Sequence, residues 1–339
     1  MKKILQVIFS FIAIISIAQT KEAIKFRGNV TNYNQDNTYK YLTVIDQRED
    51  KQIGTLPFGD KKEMREVVFP TTPANDFGNW YTKANYQGGN YEFVLILKRL
   101  KLSVGETVDK KTDGKMDFSA QTFLKDGDKY HFLYKKDTVF AFNNKEVSEL
   151  MVKNIPTIYS IFIRKSYDIK PTEKAVSFDD LKDYETLTKN NYEAFKNDNL
   201  KDGIYLDHHS FFNQTPEQGN YTLEINNKGD VTRAVKEENG KKDKISANKM
   251  YAYVDKGKAY KKTFSGFFEI QKDAKGYFIL ANRGYLFPVQ SNSTFGMFGL
   301  IGGVAGAIEQ GARQNKMKKD GVENIYLDPL TGEYDFSEE

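Results

Sequence analysis

The spacing of apolar residues changes character several times along this chain. An apolar run, ILQVIFSFIAIISIA, broken by Gln6 and Ser10, fills positions 4–18 directly behind Met1-Lys2-Lys3. Strand patterns come next. YKYLTVIDQRED predicts a strand over 41–45. In YEFVLILKRLKLS, residues 93–97 are all apolar, which predicts a strand buried on both faces, and the pattern then alternates through Leu100 and Leu102. KMDFSAQTF and KYHFLYKKDTVFAF flank LKDGDK, where Asp126-Gly127 predicts the hairpin turn between antiparallel neighbours. Residues 57–89, rich in Gly, Pro and Asn, read as a long ordered loop with one short helix over 61–67.

Helical spacing takes over at Lys145, after Asn143 or Asn144 as cap. Val147, Leu150, Met151, Ile155, Ile158 and Phe162 recur at three- and four-residue steps, the pattern of one core-facing stripe. Pro156 falls inside it and predicts a kink or split near 153–155. Ser177 with Asp180 three residues on forms a capping-box arrangement, so a second helix is expected over 178–197, with Leu181, Tyr184, Leu187, Tyr192 and Phe195 inward. The polar stretch SYDIKPTEKA before it reads as a linker. From Tyr221 the pattern becomes short strands: YTLEIN, VTRAV, MYAYVD, KAYKKTF, GFFEIQ and GYFILAN, separated by turn-forming segments such as NNKGD and KDAKG. This spacing predicts an antiparallel meander. NIYLDPLTGEYDF closes the chain, with Pro329 and Gly332 turning between two short edge segments. No period of 20–50 residues repeats, which argues against a solenoid or propeller.

The expected fold class is therefore α+β. An N-terminal mixed sheet with packed helices spans 24–168, a linker and connector helix 169–200, and a mostly antiparallel β-meander unit with a Gly-rich helix 201–339. Residues 1–18 have the order of a secretory signal peptide: positive start, apolar core, and small residues Ser16 and Ala18 ahead of a new N-terminus at Gln19. As a retained helix, the apolar run would reach only about 22 Å of a roughly 30 Å hydrocarbon core. The chain has no cysteine, which excludes lipidation through an N-terminal cysteine, disulfides, thiolate metal sites and cysteine nucleophiles. Removing residues 1–18, with Lys2 and Lys3, leaves 48 basic against 46 acidic residues. The near-neutral balance, with lysines alternating with acids, gives no nucleic-acid footprint.

Three segments, DGIYLDHHSFFNQTP, MYAYVDKGKAYKKT and YLDPLTGEYDF, together resemble uncharacterised exported proteins of diderm bacteria. VIDQREDKQIG in the N-terminal half is similar to small envelope lipoprotein domains, although the lipid-bearing cysteine is missing. The resemblance implies a periplasmic, outer-membrane-associated or extracellular location and attaches no activity.

Candidate chemistry is sparse. His208 and His209 lie near Asp202 and Asp207, but adjacent histidines on a helix point about 100° apart, which is poor metal geometry. Asp207 reads instead as the cap of a short helical turn through Phe212, with both histidines in its exposed first turn. DNLKDGIYLDHH superficially resembles a calcium loop, yet Leu200 and His209 occupy two ligand positions, and Gly203 reads as a helix stop. His131 alternates mid-strand without a partner motif. No nucleophile elbow, H-E-x-x-H, P-loop or dinucleotide fingerprint occurs, and no cofactor is implied. A carboxylate pair for hydrolysis of glycan or peptide would have to assemble in space.

The remaining feature is FGMFGLIGGVAGAIEQGARQNKM from Phe295, a glycine-zipper-like segment. Gly299, Gly303, Ala307 and Gly311 form one small-residue face as a helix, a candidate association face for self-association or peripheral membrane contact. Its apolar part, 295–308, spans about 21 Å as a helix, short of a bilayer. The sequence thus points to a non-catalytic envelope protein that binds or scaffolds an envelope component. Its rivals are a carboxylate hydrolase and a membrane-associating oligomer.

Overall fold

The computed structural model describes residues 20–27, 38–83, 85, 88–238, 241–282, 286 and 321–335. The signal-peptide region 1–18 and the face formed by Gly299, Gly303, Ala307 and Gly311 lie outside the described residues. The fold is α+β. Its first part runs β1 (Lys21–Ala23), β2 (Tyr39–Asp46), β3 (Thr55–Phe58), β4 (Glu63–Val68), α1 (Pro73–Thr82), β5 (Tyr91–Val108), β6 (Lys111–Asp126), β7 (Lys129–Asn144) and α2 (Val147–Tyr167). The main sheet has the order β2-β5-β6-β7, with β2 parallel to β5 and the other pairs antiparallel. Both faces of β5 are buried, as its unbroken apolar run predicts. Phe93, Leu95 and Leu97 join the core under α2, while Val94 and Ile96 join a second cluster on the opposite face.

Two expectations here are corrected. Residues 61–67 are not helical but lie in a β-hairpin, β3–β4, that turns through Gly59 (φ +67°). The helix of this region is α1, and it begins where Thr72 caps the amide of Asn75 and Pro73 opens the first turn. Pro156 sits inside α2 without splitting it. Burial of Ile155, Ile158, Tyr159 and Phe162 in the core beneath the helix outweighs the local cost of about 3 kcal/mol.

The expected long helix over 178–197 is broken into a 3-10 turn (Asp179–Leu181), α3 (Tyr184–Asn191) and α4 (Glu193–Lys196). Tyr184 belongs to the cluster on the first sheet, whereas Tyr192 belongs to the core of the second. The chain serves both by turning extended at Tyr192 (φ −73°, ψ 134°), and Leu187, expected inward, is 41% exposed. Next come β8 (Gly203–Tyr205), α5 (His208–Phe212), β9 (Thr222–Ile225), β10 (Val231–Glu238), β11 (Lys241–Ser246), β12 (Ala252–Asp255), β13 (Lys258–Thr263), β14 (Gly266–Lys272), β15 (Tyr277–Ala281), β16 (Glu323–Leu327) and β17 (Tyr334–Asp335). These build the antiparallel meander β17-β16-β15-β14-β13-β12-β8 and a small sheet β11-β10-β9. Phe211 and Phe212 of α5 fill the meander's core. Gly203 does not stop a helix; it opens β8 at φ +144°, where a Cβ would come within 2.6 Å of the Pro216 side chain. Among the described residues no helix is long and apolar enough to cross a membrane.

The outer edge of β7 brings the two sheets together. Near its start, the linker pairs with it: the Thr172 amide donates to Phe132 O (3.0 Å), and Tyr130 and Val176 exchange amide–carbonyl bonds of 2.9 Å. Further along, a bulge at Leu133 resets the phase, because Phe123 faces Phe132 while Thr122 faces Tyr134. Tyr134 and Lys136 therefore point to the α2 side, and Lys135 and Asp137 to the other. The turn between β16 and β17 straddles this edge. Its Asp328 meets Lys135 at 2.9 Å, and its Glu333 meets Lys136 at 2.7 Å, together with the Tyr134 hydroxyl (3.1 Å) and Lys165 of α2. Lys135 also contacts Asp137 at 2.7 Å and Glu185 of α3, which in turn accepts from Gln121.

Burial by itself would lower the Lys135 ammonium, but Asp328, Asp137 and Glu185 outweigh it and hold it well above its ordinary value. Burial would likewise raise Glu333, and Lys136 with Lys165 pull it below the usual carboxylate range. Burial raises Glu185 more than Lys135 lowers it, so this carboxyl sits above its ordinary value.

One ammonium thus serves three carboxylates, and the two signs are unequal in consequence. Replacing Lys135 by Met leaves three acids without their cation and is expected to cost roughly 3–5 kcal/mol in urea unfolding. Asp328→Asn keeps the Oδ1 acceptor for the Leu330 and Thr331 amides but turns an NH2 donor toward the Lys135 ammonium, so its cost is about 1–3 kcal/mol, below that of Lys135→Met. Equal losses in the two variants would contradict this reading.

Candidate functional site: a trough beside the C-terminal turn

Beside this junction lies a trough of about 860 Å³. Its buried floor is Phe132 from β7, Tyr184 from α3, Tyr192 from the break between α3 and α4, and Leu330 from the C-terminal turn. The linker 170–176 forms one wall. Leu187, Thr188 and Asn191 of α3, with His209 and Asn213 at α5, form the other. The floor is fixed by packing. Phe132 stacks on Tyr184 (5.2 Å between centroids, 23°), and Phe123 meets both edge-on. Leu330 is held because its turn is anchored to β7 through Asp328 and Glu333.

The short helix α5 is set by its cap. The Ser210 amide donates to Asp207 Oδ1 (2.7 Å), and the Asp207 amide donates to Ser210 Oγ (3.3 Å), so the expected cap at Asp207 is present. The two histidines differ from expectation. His208 is not exposed: its ring lies against Gly332, where a Cβ would come within 2.7 Å, and its Nε2 is 3.0 Å from Leu330 O. Gly332 has φ +68°, a conformation that glycine adopts without penalty. His209 is exposed at the trough wall, with its Nδ1 3.3 Å from the Tyr192 hydroxyl. The ring centroids of the two histidines are 4.0 Å apart. Burial, with the adjacent His209, pushes His208 down to about 4, and burial lowers His209 as well.

Other sequence candidates take structural roles. Asp202 accepts the Gly257 amide (2.8 Å), so the loop with calcium-like spacing serves as a turn. His131 Nδ1 lies 2.7 Å from Thr172 O and helps hold the linker to β7. Among the described residues no group of three or more histidines and carboxylates is arranged to hold a metal ion. The acids Asp137, Glu185 and Asp328 gather around the Lys135 ammonium. A smaller pocket of about 220 Å³ on the far side of α3 is lined by Lys135, Glu185 and Asp328 of that cluster.

The trough residues Tyr192, Asn213 and Leu330 carried no recognisable motif. Tyr192 was expected on the inward face of a helix, and nothing local to Asn213 or Leu330 marks a site. What the lining offers is an apolar floor with hydrogen-bonding groups on α3 and α5 and charged residues, Lys170, Glu173, Lys174 and Asp180, around it, which suits reversible binding. No protein-family model, curated protein or solved structure matches the chain.

The depressed His208 fixes a pH window. Its stabilising contribution is fully present above the unfolded value near 6.5 and is lost as pH falls toward about 4. The loss expected over that window is about 2–3 kcal/mol. Glu333, also depressed, adds a further loss below the ordinary carboxylate range. In urea unfolding between pH 7 and 3, His208→Gln should remove most of the slope from 6.5 to 4, leave the part contributed by the lowered His209, and keep the Glu333 part below it. An unchanged slope over pH 6.5 to 4 would contradict the assignment.

Proposed function

We propose that this is an exported, non-catalytic binding protein of the cell envelope that receives its ligand in the trough. The observation that carries the binding part is the preorganised floor. Phe132, Tyr184, Tyr192 and Leu330 come from four separate segments and are held by two cores and the ion cluster. A site assembled before the ligand arrives loses little freedom on binding. Its volume falls within the roughly 300–1,000 Å³ of small-molecule sites. Export is supported by the charge, apolar core and small-residue order of residues 1–18, and the envelope location by the resemblance of 202–216 and the C-terminal strands.

Two readouts test the proposal. In 15N-labelled protein titrated with a mixed set of small neutral and apolar fragments, the resonances of Thr172, Leu187, Asn191, His209 and Asn213 should shift. Ala175→Trp, which fills the trough, should abolish those shifts and change stability by less than about 1 kcal/mol. Shifts confined to other surfaces, or none, would overturn the binding reading. Protein recovered from outside the cytoplasm should begin at Gln19, and cytosolic protein with intact Met1 would overturn export.

A further inference from the structure

We infer that Lys135 and Asp328 are the two halves of an intramolecular amide bond, a covalent cross-link between β7 and the turn 328–333. The Lys135 Nζ lies 2.9 Å from Asp328 Oδ2, and the two side chains are 6% and 7% exposed. Holding an amine and a carboxyl together in this way turns a chance encounter into a step within one molecule. The Asp328 carboxyl is also prepared for attack. Its Oδ1 accepts the Leu330 amide (2.7 Å) and the Thr331 amide (3.1 Å). Two backbone donors on one oxygen stabilise the negative charge that gathers there when an amine adds to Cγ. Oδ2 faces the lysine and is the oxygen that leaves.

Lys135 touches two further carboxylates, and their surroundings give them different parts. Glu185 of α3 reaches the same Nζ, and burial holds its carboxyl above its ordinary value, so it is suited to carry a proton. Asp137, at 2.7 Å, sits two residues along the same strand, and among the described residues no backbone amide donates to its carboxylate. In the reaction one proton crosses from Nζ to Asp328 Oδ2, leaving a neutral amine and a neutral acid. Nζ then adds to Cγ, and the Cγ–Oδ1 π pair moves onto Oδ1 beneath the two amides. Glu185 takes the second proton from nitrogen and returns it to Oδ2. The Cγ–Oδ2 bond breaks, Oδ1 regains its double bond, and one water departs. An ammonium and a carboxylate become an amide and a water, so no oxidant or co-reactant is needed. The pocket of about 220 Å³ lined by Lys135, Glu185 and Asp328 receives that water. A buried ion pair is costly to keep, and the neutral amide removes it. Against the burial penalty, Asp328, Asp137 and Glu185 hold the ammonium well above its ordinary value, so the first proton transfer is slow and the bond matures after folding. The chain has no cysteine and hence no disulfide. A bond between residues this distant restricts the unfolded chain as a disulfide does.

The test is a tryptic map by tandem mass spectrometry of the full-length folded protein, freshly purified and again after prolonged incubation. The peptide carrying Lys135 should appear joined to the peptide carrying Asp328, lighter than their sum by one water, and its share should grow with time. Glu185→Gln should slow that growth by at least about 100-fold, the loss expected when a proton carrier is removed. Lys135→Arg and Asp328→Ala should each abolish the joined peptide. The wild-type map decides the question whether or not a variant folds. Only the two separate peptides after incubation would overturn the proposal, as would a lysine joined to Asp137 or Glu185 in place of Asp328. Growth at an unchanged rate in Glu185→Gln would overturn the proton-carrying role.

Discussion

Two lysines side by side on β7 hold the four-stranded sheet and the seven-stranded meander together. A strand sends successive side chains to opposite faces, so Lys135 and Lys136 present a cation on each side of the same edge. The turn 328–333 answers both, with Asp328 on one side and Glu333 on the other. A buried ammonium without a carboxylate is strongly unfavourable. The two sides differ: displacing the turn would leave Lys136 without Glu333, whereas Lys135 would keep Asp137 and Glu185. The Leu133 bulge sets the phase that makes this arrangement available.

The trough inherits its shape from that constraint. Leu330 reaches the floor because its turn is clamped, and the Leu330 carbonyl and Gly332 in turn receive His208, which orients α5 and places His209 and Asn213 on the wall. From the other side, Glu185 ties α3 to the same cluster through Lys135 and Gln121. Its neighbour Tyr184 packs on Phe132. The candidate ligand site is therefore a consequence of sheet docking, assembled from segments as distant in the chain as Phe132 and Leu330. It contains no local motif.

This explains what could be read in the sequence. Alternation and turn residues specified β12 to β15 of the meander and the Gly127 hairpin, and an unbroken apolar run the double burial of β5, because those features depend on near neighbours; YTLEIN and VTRAV were expected in the same meander but pair with β11 in a separate sheet. The Asp207 cap was legible for the same reason. The β3–β4 hairpin was missed because its short strands depend on pairing rather than periodicity, even though Thr72-Pro73 marked where the true helix begins. The break at Tyr192 was hidden because its cause is a choice between two cores. Nothing next to Lys135 and Lys136 in the sequence marks them as buried; their acids on α3 and the C-terminal turn are distant in the chain. The trough was illegible because each of its walls is set by that same long-range pairing.

The most direct measurement of this account is native-state hydrogen exchange across the clamp. The amides of Leu330 and Gly332, bonded within the turn to Asp328, are predicted to open with the same free energy as the β7 amides of residues 134–137. Both sets should also lose protection together in Lys136→Met. If the turn exchanges freely while β7 stays protected, the clamp does not hold the sheets and the trough has no fixed floor.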